Sequence, residues 1–257
     1  MTPWVMRLII ANVIVFFLTM TSPALANLLS YIPAYTATRP WTPFTYMFVH
    51  AGPGHILFNM LSLYFFGPRL EARLGSRHFL GMYLAGGLTG ALASLIAYWV
   101  GASPGVIQIV GASGAVYSVM LGFALFWPRT RVLVYGLFPV EAWFLILVMI
   151  LLTLFGTAGF GSPGVAHFAH LGGAAGGFAY LRIVDAVSPA AQFRARANPT
   201  PKRVDGADLE RWKRINRDAM HPVNREEFDR LMVKITEAGV ASLSRDERMF
   251  LDRFTPA

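Results

Sequence analysis

Ser113 lies between glycines in Gly111-Ala112-Ser113-Gly114 and opens an apolar stretch that runs to Trp127, and His170 opens another that runs to Val184. A hydroxyl nucleophile and an imidazole base are the minimum parts for acyl transfer through a covalent intermediate. Hydrocarbon penalises ionisable side chains, so such groups inside membrane-length helices are functional candidates by default. The chemistry this pair points to is hydrolysis within a bilayer.

The elements that must position these residues follow from composition. The chain has 257 residues, 55% hydrophobic and only 14% charged, too apolar for a soluble domain of this length. It reads as a polytopic membrane protein. No cysteine is present, which excludes disulfides, thiolate-bound zinc and a cysteine nucleophile. Residues 1–184 hold eight arginines and two acids, Glu71 and Glu141, whereas residues 185–257 hold 14 Lys/Arg and 12 acids, so a domain boundary is expected near Asp185. The net charge of +8 sits mostly at helix ends, and no dense basic stripe with interleaved aromatics suggests nucleic-acid binding.

Apolar runs suited to crossing lie near 4–21, 55–69, 78–100, 113–127, 132–155 and 166–184. Gly136 and Pro139 interrupt the fifth, which puts its alternative start near Val140. Six crossings from an inside N-terminus place Arg7, Arg69, Arg73, Arg77, Arg129, Arg131 and Arg182 on one side and only Arg39 on the other. The positive-inside rule then puts both termini in the cytoplasm. Residues 7–26, ending in Ala24-Leu25-Ala26, also have the pattern of a signal peptide, and charge does not separate the two readings. The run is long enough to cross and is taken as the first span.

Spans two, four and six run from outside to inside, and each begins with polar chemistry: His55 and Asn59, Ser113, and His170. From His55 to Arg69, Ser113 to Trp127 and His170 to Val184 there are 15 residues each, about 22 Å of a core about 30 Å thick. The three sets of groups are therefore expected at one depth, several ångströms below the outer face. Water would reach them through the uncharged, glycine- and proline-broken loops 101–110 and 156–165.

Each residue also has a plainer reading. Gly-x-Ser-Gly in a membrane helix serves small-residue packing, and so do Gly173 and Gly177 at i+3 and i+7 from His170. Close approach is nevertheless what a Ser–His hydrogen bond requires, so packing and catalysis agree here. His55 and Asn59, four apart on one helix face, fit either an interhelical hydrogen bond or donors to a developing oxyanion. Tyr117, one turn after Ser113, can pack on an imidazole or simply in the core. His50 and His167 have no ligand-like spacing, so neither a metal nor any other cofactor is expected.

In order, span placement and spacing, four segments resemble the rhomboid intramembrane serine proteases. They are His55-Ile56-Leu57-Phe58-Asn59; Gly67-Pro68-Arg69-Leu70-Glu71-Ala72-Arg73-Leu74-Gly75; Gly111-Ala112-Ser113-Gly114 with Tyr117; and His170 with Gly173 and Gly177. The resemblance implies an all-α, six-helix membrane bundle over residues 1–188 that cleaves transmembrane protein substrates near the outer face. It implies Ser113 as nucleophile and His170 as general base, with His55, Asn59 and the Ser113 backbone N–H lining the oxyanion hole and Tyr117 against His170. By the same likeness Glu71 is a structural glutamate that binds the loop after span two, segment 22–54 is a first loop partly in the membrane, and span five with loop 156–165 gates and caps the site. It also implies a preference for small residues at the cleavage site. One departure is visible: the family commonly has Trp-Arg in its first loop, whereas Thr42 follows Trp41, with Arg39 two residues earlier as a substitute.

Residues 189–206, rich in Pro, Ala and basic side chains, read as a linker. Residues 207–257 read as a cytoplasmic helical mini-domain: a helix over 207–219, one capped by Asn224 and stopped by Gly239, and one capped by Ser244. Apolar stripes Phe228, Leu231, Met232, Ile235 and Met249, Phe250, Phe254 suit either an internal core or docking to a cytoplasmic partner. The short N-terminus favours a bacterial inner membrane. A non-catalytic member that escorts membrane clients is the competing function; loss of Ser113 or His170 would have favoured it. A transporter would put charged groups near the midplane, which this sequence does not.

Overall fold

In the computed structural model, which describes residues 1–103, 106–134, 137–160, 166–186 and 206–255, the apolar runs fold mainly as helices. The first is α1 (Pro3–Thr21), followed by the short α2 (Pro23–Leu29) and the single turn α3 (Thr42–Thr45). The longer helices α4 (Pro53–Leu74), α5 (Ser76–Trp99), α6 (Ser113–Phe126), α7 (Ala142–Phe155) and α8 (His167–Ala186) complete the first unit. Proline at the start of α1, α2 and α4 presets φ and lacks only an N–H that would have no intrahelical partner there. By length and composition α1 and α5 are long and apolar enough to cross a membrane; α6 and the Ala142–Ala158 helix are apolar but shorter.

The fifth apolar run is not one helix over 132–155: it agrees with the alternative start near Val140, but the residues before the helix pair as strands. Arg131–Val134 (β1) pairs antiparallel with Phe138–Glu141 (β2), Val132 opposite Val140 and Leu133 opposite Pro139, and the helix begins only at Ala142. The first unit is thus not purely α-helical. Val132, Val134 and Val140 are stiff at χ1 and favour extended backbone, and Pro139 has no N–H to give a helix interior. The turn is anchored at its base by Ala142 N–H donating to Thr130 O (2.9 Å) and Trp143 N–H to Pro128 O (3.1 Å). Residues 156–160, expected as the start of a loop, form a π-helical turn that continues α7. Residues 161–165, and 104–105 of the other expected water path, lie outside the described residues.

Glu71 ties three helices together. Its buried carboxylate accepts from the backbone N–H groups of Trp4 (3.1 and 3.2 Å) and Val5 (3.0 Å) in the first turn of α1, and from Ser76 Oγ (2.7 Å) at the start of α5. An anion at this position satisfies orphan donors and lies favourably at the positive end of the α1 dipole. The expected bond to the segment after α4 is present, while the reach to α1 was not foreseen. α1 also lies so close to α4 that a Cβ on Gly67 would come within 2.6 Å of Val5 Cγ2.

Contacts divide the chain into two units, Met1–Val187 and Ser188–Ala257. The expected linker 189–206 lies outside the described residues except for Gly206. In the second unit α9 (Gly206–Lys213), α10 (Pro222–Ala238) and α11 (Arg245–Phe254) enclose Trp212, Phe228, Leu231, Ile235 and Leu251. The α10 stripe is therefore largely consumed by the unit's own core, though Met249 of α11 is 56% exposed. α10 starts at Pro222 with His221 rather than Asn224 as N-cap, because proline at the first position fixes the helical φ three residues earlier. The Ser244–Glu247 capping box is present in both directions, Ser244 N–H donating to Glu247 Oε2 (2.6 Å) and Glu247 N–H to Ser244 Oγ (3.2 Å). Gly239 ends α10 at φ 77°, a conformation that side chains disfavour.

Two outcomes follow from these attachments. Glu71→Ala leaves the α1 donors and Ser76 without their acceptor and is expected to lower the unfolding free energy by about 1–3 kcal/mol, measured by thermal or denaturant unfolding in micelles. Glu247 is held at about 2, from an ordinary 4.5, by Lys234 first, then by the Ser244 N–H and Arg230. A carboxylate depressed in the folded state contributes stability above its unfolded value and loses it as pH falls through the folded one. The Trp212 resonance of the full chain labelled with fluorotryptophan is expected to report loosening of this unit between about pH 4.5 and about pH 2, with the effect reduced in Glu247→Gln.

Candidate active site

Ser113 is the first residue of α6, and His170 lies in the first turn of α8, so both side chains project from helix starts toward the same place. Ser113 Oγ and His170 Nε2 are 2.7 Å apart, within hydrogen-bond distance. The Tyr117 ring stacks on the His170 ring with centroids 4.5 Å apart and planes 10° from parallel. The hydroxyl of Tyr117 is 3.1 Å from Thr153 Oγ1, whose own proton goes to Met149 O (2.8 Å), so Tyr117 is the donor. This fixes a wall of the imidazole from α7.

Glycine is what allows α6 and α8 to approach. A Cβ at Gly173 would overlap the Gly114 backbone, and one at Gly177 would overlap the Ser118 side chain. Ser118 also meets Gly86 of α5 and donates to Met82 O (3.0 Å), so one small polar residue sits among three helices. On a second face of α8, a Cβ at Gly172 would lie 2.5 Å from Thr89 O, and one at Gly176 would overlap the Thr89 side chain. The first pair was legible as i+3 and i+7 from His170; the second serves the α5 contact.

His55 and Asn59 of α4 complete the arrangement. A cavity of about 420 Å³ is lined by His55, Asn59, Ser113, Tyr117 and His170, with Met120 and Met149 supplying apolar walls. Asn59 Nδ2 donates to His55 O (2.9 Å), leaving its second amide hydrogen. His55 Nδ1 accepts from Ala51 N–H (3.4 Å), which puts the ring proton on Nε2. That edge faces Gly111: a Cβ there would lie 2.6 Å from both Nε2 and Cε1 of His55 and 3.7 Å from Ser113 Oγ. Gly111 has φ 118°, so glycine is needed for its backbone as well as its space. Of the nine residues singled out in the sequence, His55, Asn59, Ser113, Tyr117 and His170 line this cavity, Gly111 lies beside His55, Gly173 and Gly177 lie in the contact of α8 with α6, and Glu71 braces the other end of α4.

Known proteins bear on the same segments. The Rhomboid domain family matches residues 37–186 of this chain, more than half of its length. The chain belongs to the rhomboid family. It is 33% identical over 195 residues to "RHOMBOID-like protein 12, mitochondrial" of Arabidopsis thaliana, covering 70% of this chain and 58% of that protein. To "RHOMBOID-like protein 1" of the same plant it is 36% identical over 160 residues, covering 62% and 38%. To "Rhomboid protease GluP" of Bacillus subtilis it is 32% identical over 144 residues, covering 54% and 25%. The chain therefore spans a quarter to somewhat over half of the length of these relatives. Rhomboids are membrane proteins, and the bundle is read in that setting.

Three residues of this rhomboid chain shape the site in ways its sequence did not announce. Tyr31 pairs with Ile109 through both backbone bonds (3.0 and 2.7 Å), and Tyr46 O accepts from Gly111 N–H (2.9 Å). His50, considered only as a metal ligand, lies with its Nε2 3.5 Å from Ala112 N–H and its Nδ1 3.3 Å from Phe48 O, edge-on to His55. Together they hold the irregular approach to Ser113. The only signal was the string of aromatic residues and the single His50 in segment 22–54. Arg39 donates to Asn27 O (3.2 Å) and Asn27 Oδ1 (3.3 Å), Trp41 Nε1 to Leu28 O (3.0 Å), and Thr42 Oγ1 to Arg39 O (2.8 Å). Arg39 and Thr42 thus tie this first loop where the family commonly has Trp-Arg.

His167, one turn before His170, has both ring nitrogens buried with no hydrogen-bond partner among the described residues, against the place where Gly156 lacks a side chain. Gly173→Ala is expected to push α8 from α6, destabilise the protein by about 1–3 kcal/mol through overpacking, and break the Ser113–His170 contact. Imidazole nitrogen NMR of His170 beside thermal unfolding checks both; Gly54→Ala, where a Cβ meets nothing within 4 Å, is the control expected to change neither.

Proposed function

We propose that this rhomboid is an intramembrane serine endopeptidase that cleaves transmembrane proteins near the outer face of the membrane. The observation that carries the reading is the 2.7 Å contact of Ser113 Oγ with His170 Nε2 at the cavity shared with His55 and Asn59. The chain crosses six times, through α1, α4, α5, α6, α7 and α8. Both ends face the cytoplasm, which keeps seven of the first unit's eight arginines inside. Residues 1–188 are the protease domain, 189–206 a linker and 207–257 a cytoplasmic appendage.

In the reaction, a locally unwound substrate segment presents a peptide carbonyl above Ser113. Nε2 of His170 takes the hydroxyl proton as Oγ bonds to the carbonyl carbon, while Nδ1 keeps the ring's own proton. The oxyanion receives His55 Nε2–H, Asn59 Nδ2–H and the Ser113 backbone N–H, which as a first-turn amide has no intrahelical acceptor. Collapse expels the amine, which takes the proton back from His170, and water then hydrolyses the acyl ester by the same base. Among the described residues no carboxylate completes a triad; the Tyr117 stack and its anchor on Thr153 orient the imidazole instead. Val116, Met120 and Met149 narrow the cavity, which supports a preference for a small residue at the scissile bond.

Cleavage of a fluorogenic transmembrane substrate by the liposome-reconstituted chain tests this. Ser113→Ala and His170→Ala are expected to abolish turnover, and His55→Ala or Asn59→Ala to lower kcat by about 10²–10³-fold, the scale of one lost oxyanion donor. Turnover in Ser113→Ala equal to wild type overturns the nucleophile. A folded wild type inert across a panel of small-residue substrates moves the client-binding reading ahead.

A further inference from the structure

The ends of α4 and α6 remote from Ser113 carry positive charge that no salt bridge among the described residues neutralises. Among the described residues, Arg69, Arg73, Arg129 and Arg131 make no salt bridge. Glu71 is occupied by Trp4, Val5 and Ser76, and Glu141, opposite Arg131 across the hairpin, accepts from Trp143 Nε1 (2.7 Å). The Arg69 guanidinium lies 4.4 Å from the Trp127 ring centroid and donates to Thr130 Oγ1 (3.5 Å), while Arg73 lies 4.4 Å over Phe126. Stacking uses the guanidinium face and leaves edge N–H donors, the geometry that suits a phosphate.

Beside these arginines a groove of about 520 Å³ runs between α4, α6 and the hairpin. Leu61 and Phe65 form one wall, Phe123 the floor, and Val132 and Leu133 the other wall, with Thr130 and Arg131 also in its lining. Leu61, Phe65 and Leu133 are 42, 58 and 60% exposed. From Leu61 to Arg69 along α4 is about 12 Å, so the apolar wall extends from the level of the arginines toward the middle of the bundle. A cationic group at the membrane surface with an apolar channel leading inward from it matches the polarity of an inner-leaflet phospholipid.

We propose that this groove binds one anionic phospholipid, its phosphate held by Arg69 and Arg131 and one acyl chain lying along Leu61, Phe65, Phe123 and Leu133. The site rests on the orientation that puts the arginine-rich end inside, and it is independent of the catalytic reading, since its readout is lipid retention and not cleavage. Native mass spectrometry of the full chain released from bilayers of equal phosphatidylglycerol and phosphatidylcholine, matched in acyl chains, is the test. The wild type is expected to retain one phosphatidylglycerol in preference to phosphatidylcholine, and Arg69→Gln or Arg131→Gln each to reduce that preference about fivefold, the scale of one near-surface charge. Val132→Trp, which fills the groove and keeps both arginines, is expected to remove the retained lipid, with thermal unfolding in micelles reporting that each variant is folded. Should Arg131→Gln keep the wild-type preference, or Val132→Trp keep the bound lipid, the site is overturned. Displacement of the lipid by millimolar inorganic phosphate would equally overturn it, by making the arginines a free-phosphate site.

Discussion

A hydrogen bond of 2.7 Å between side chains on two different helices, Ser113 on α6 and His170 on α8, constrains the rest of this bundle. Helices faced with ordinary side chains pack with axes about 8–10 Å apart, and a serine is too short to bridge the wider spacings. The bundle meets the requirement with glycine: Gly173 lies against the Gly114 backbone and Gly177 against Ser118. Each glycine is a poor helix former, by about 1 kcal/mol relative to alanine in water. In hydrocarbon the backbone must satisfy its own hydrogen bonds, so the helix persists and the missing side chains become a packing asset. Gly172 and Gly176 repeat the device against Thr89 of α5, which wedges α8 between two neighbours and fixes its rotation as well as its distance.

Rotation and distance of α8 would be of no use if Ser113 itself wandered. The residues just before it are non-helical, with Gly111 at φ 118° and Ala112 in a turn, and irregular backbone away from water needs partners for its polar groups. Segment 22–52 supplies them: Tyr31 with Ile109, Tyr46 O with Gly111, and His50 near Ala112. That segment is itself held by side chains bonded to carbonyls, among them Thr45 Oγ1 to Leu29 O (2.7 Å) and Tyr46 OH to Gly87 O (2.7 Å). An irregular stretch that reads as a loop in composition is in this fold the floor beneath the start of α6.

What the sequence disclosed and what it hid follow from the range of the interactions. Ser113 and His170 could be grouped because each opens a run of 15 residues to the inner end of its span, and Tyr117, Gly173 and Gly177 followed from helical spacing on the same faces. His55 and Asn59 needed only one turn of α4 to be paired. The hairpin over 131–141 was hidden because an apolar run looks alike as strand or helix, although Pro139 within it was the physical sign that a helix could not continue. The reach of Glu71 to Trp4 and Val5 was hidden for a different reason. Its partners are backbone N–H groups 66 and 67 residues away, which no side-chain pattern announces. His50 was passed over because its spacing offered no ligand set and its partners are backbone groups: its ring meets His55 edge to face and turns its nitrogens toward Phe48 O and Ala112 N–H.

The two ends of α4 link these levels. Its start carries His55 and Asn59 beside Ser113; its end carries Glu71, bonded to α1 and to the first residue of α5. From His55 to Glu71 the rise is about 24 Å, so one rigid rod connects the anchored, arginine-flanked end to the cavity. Sliding α4 along its axis would break the Glu71 bonds before it carried His55 out of the pocket that Gly111 leaves open. The depth of the proposed oxyanion donors relative to Ser113 is therefore set at the opposite end of the helix. A buried carboxylate with no part in the chemistry acts on the site through a single helix, by the same logic that lets Thr153 on α7 orient His170 through Tyr117.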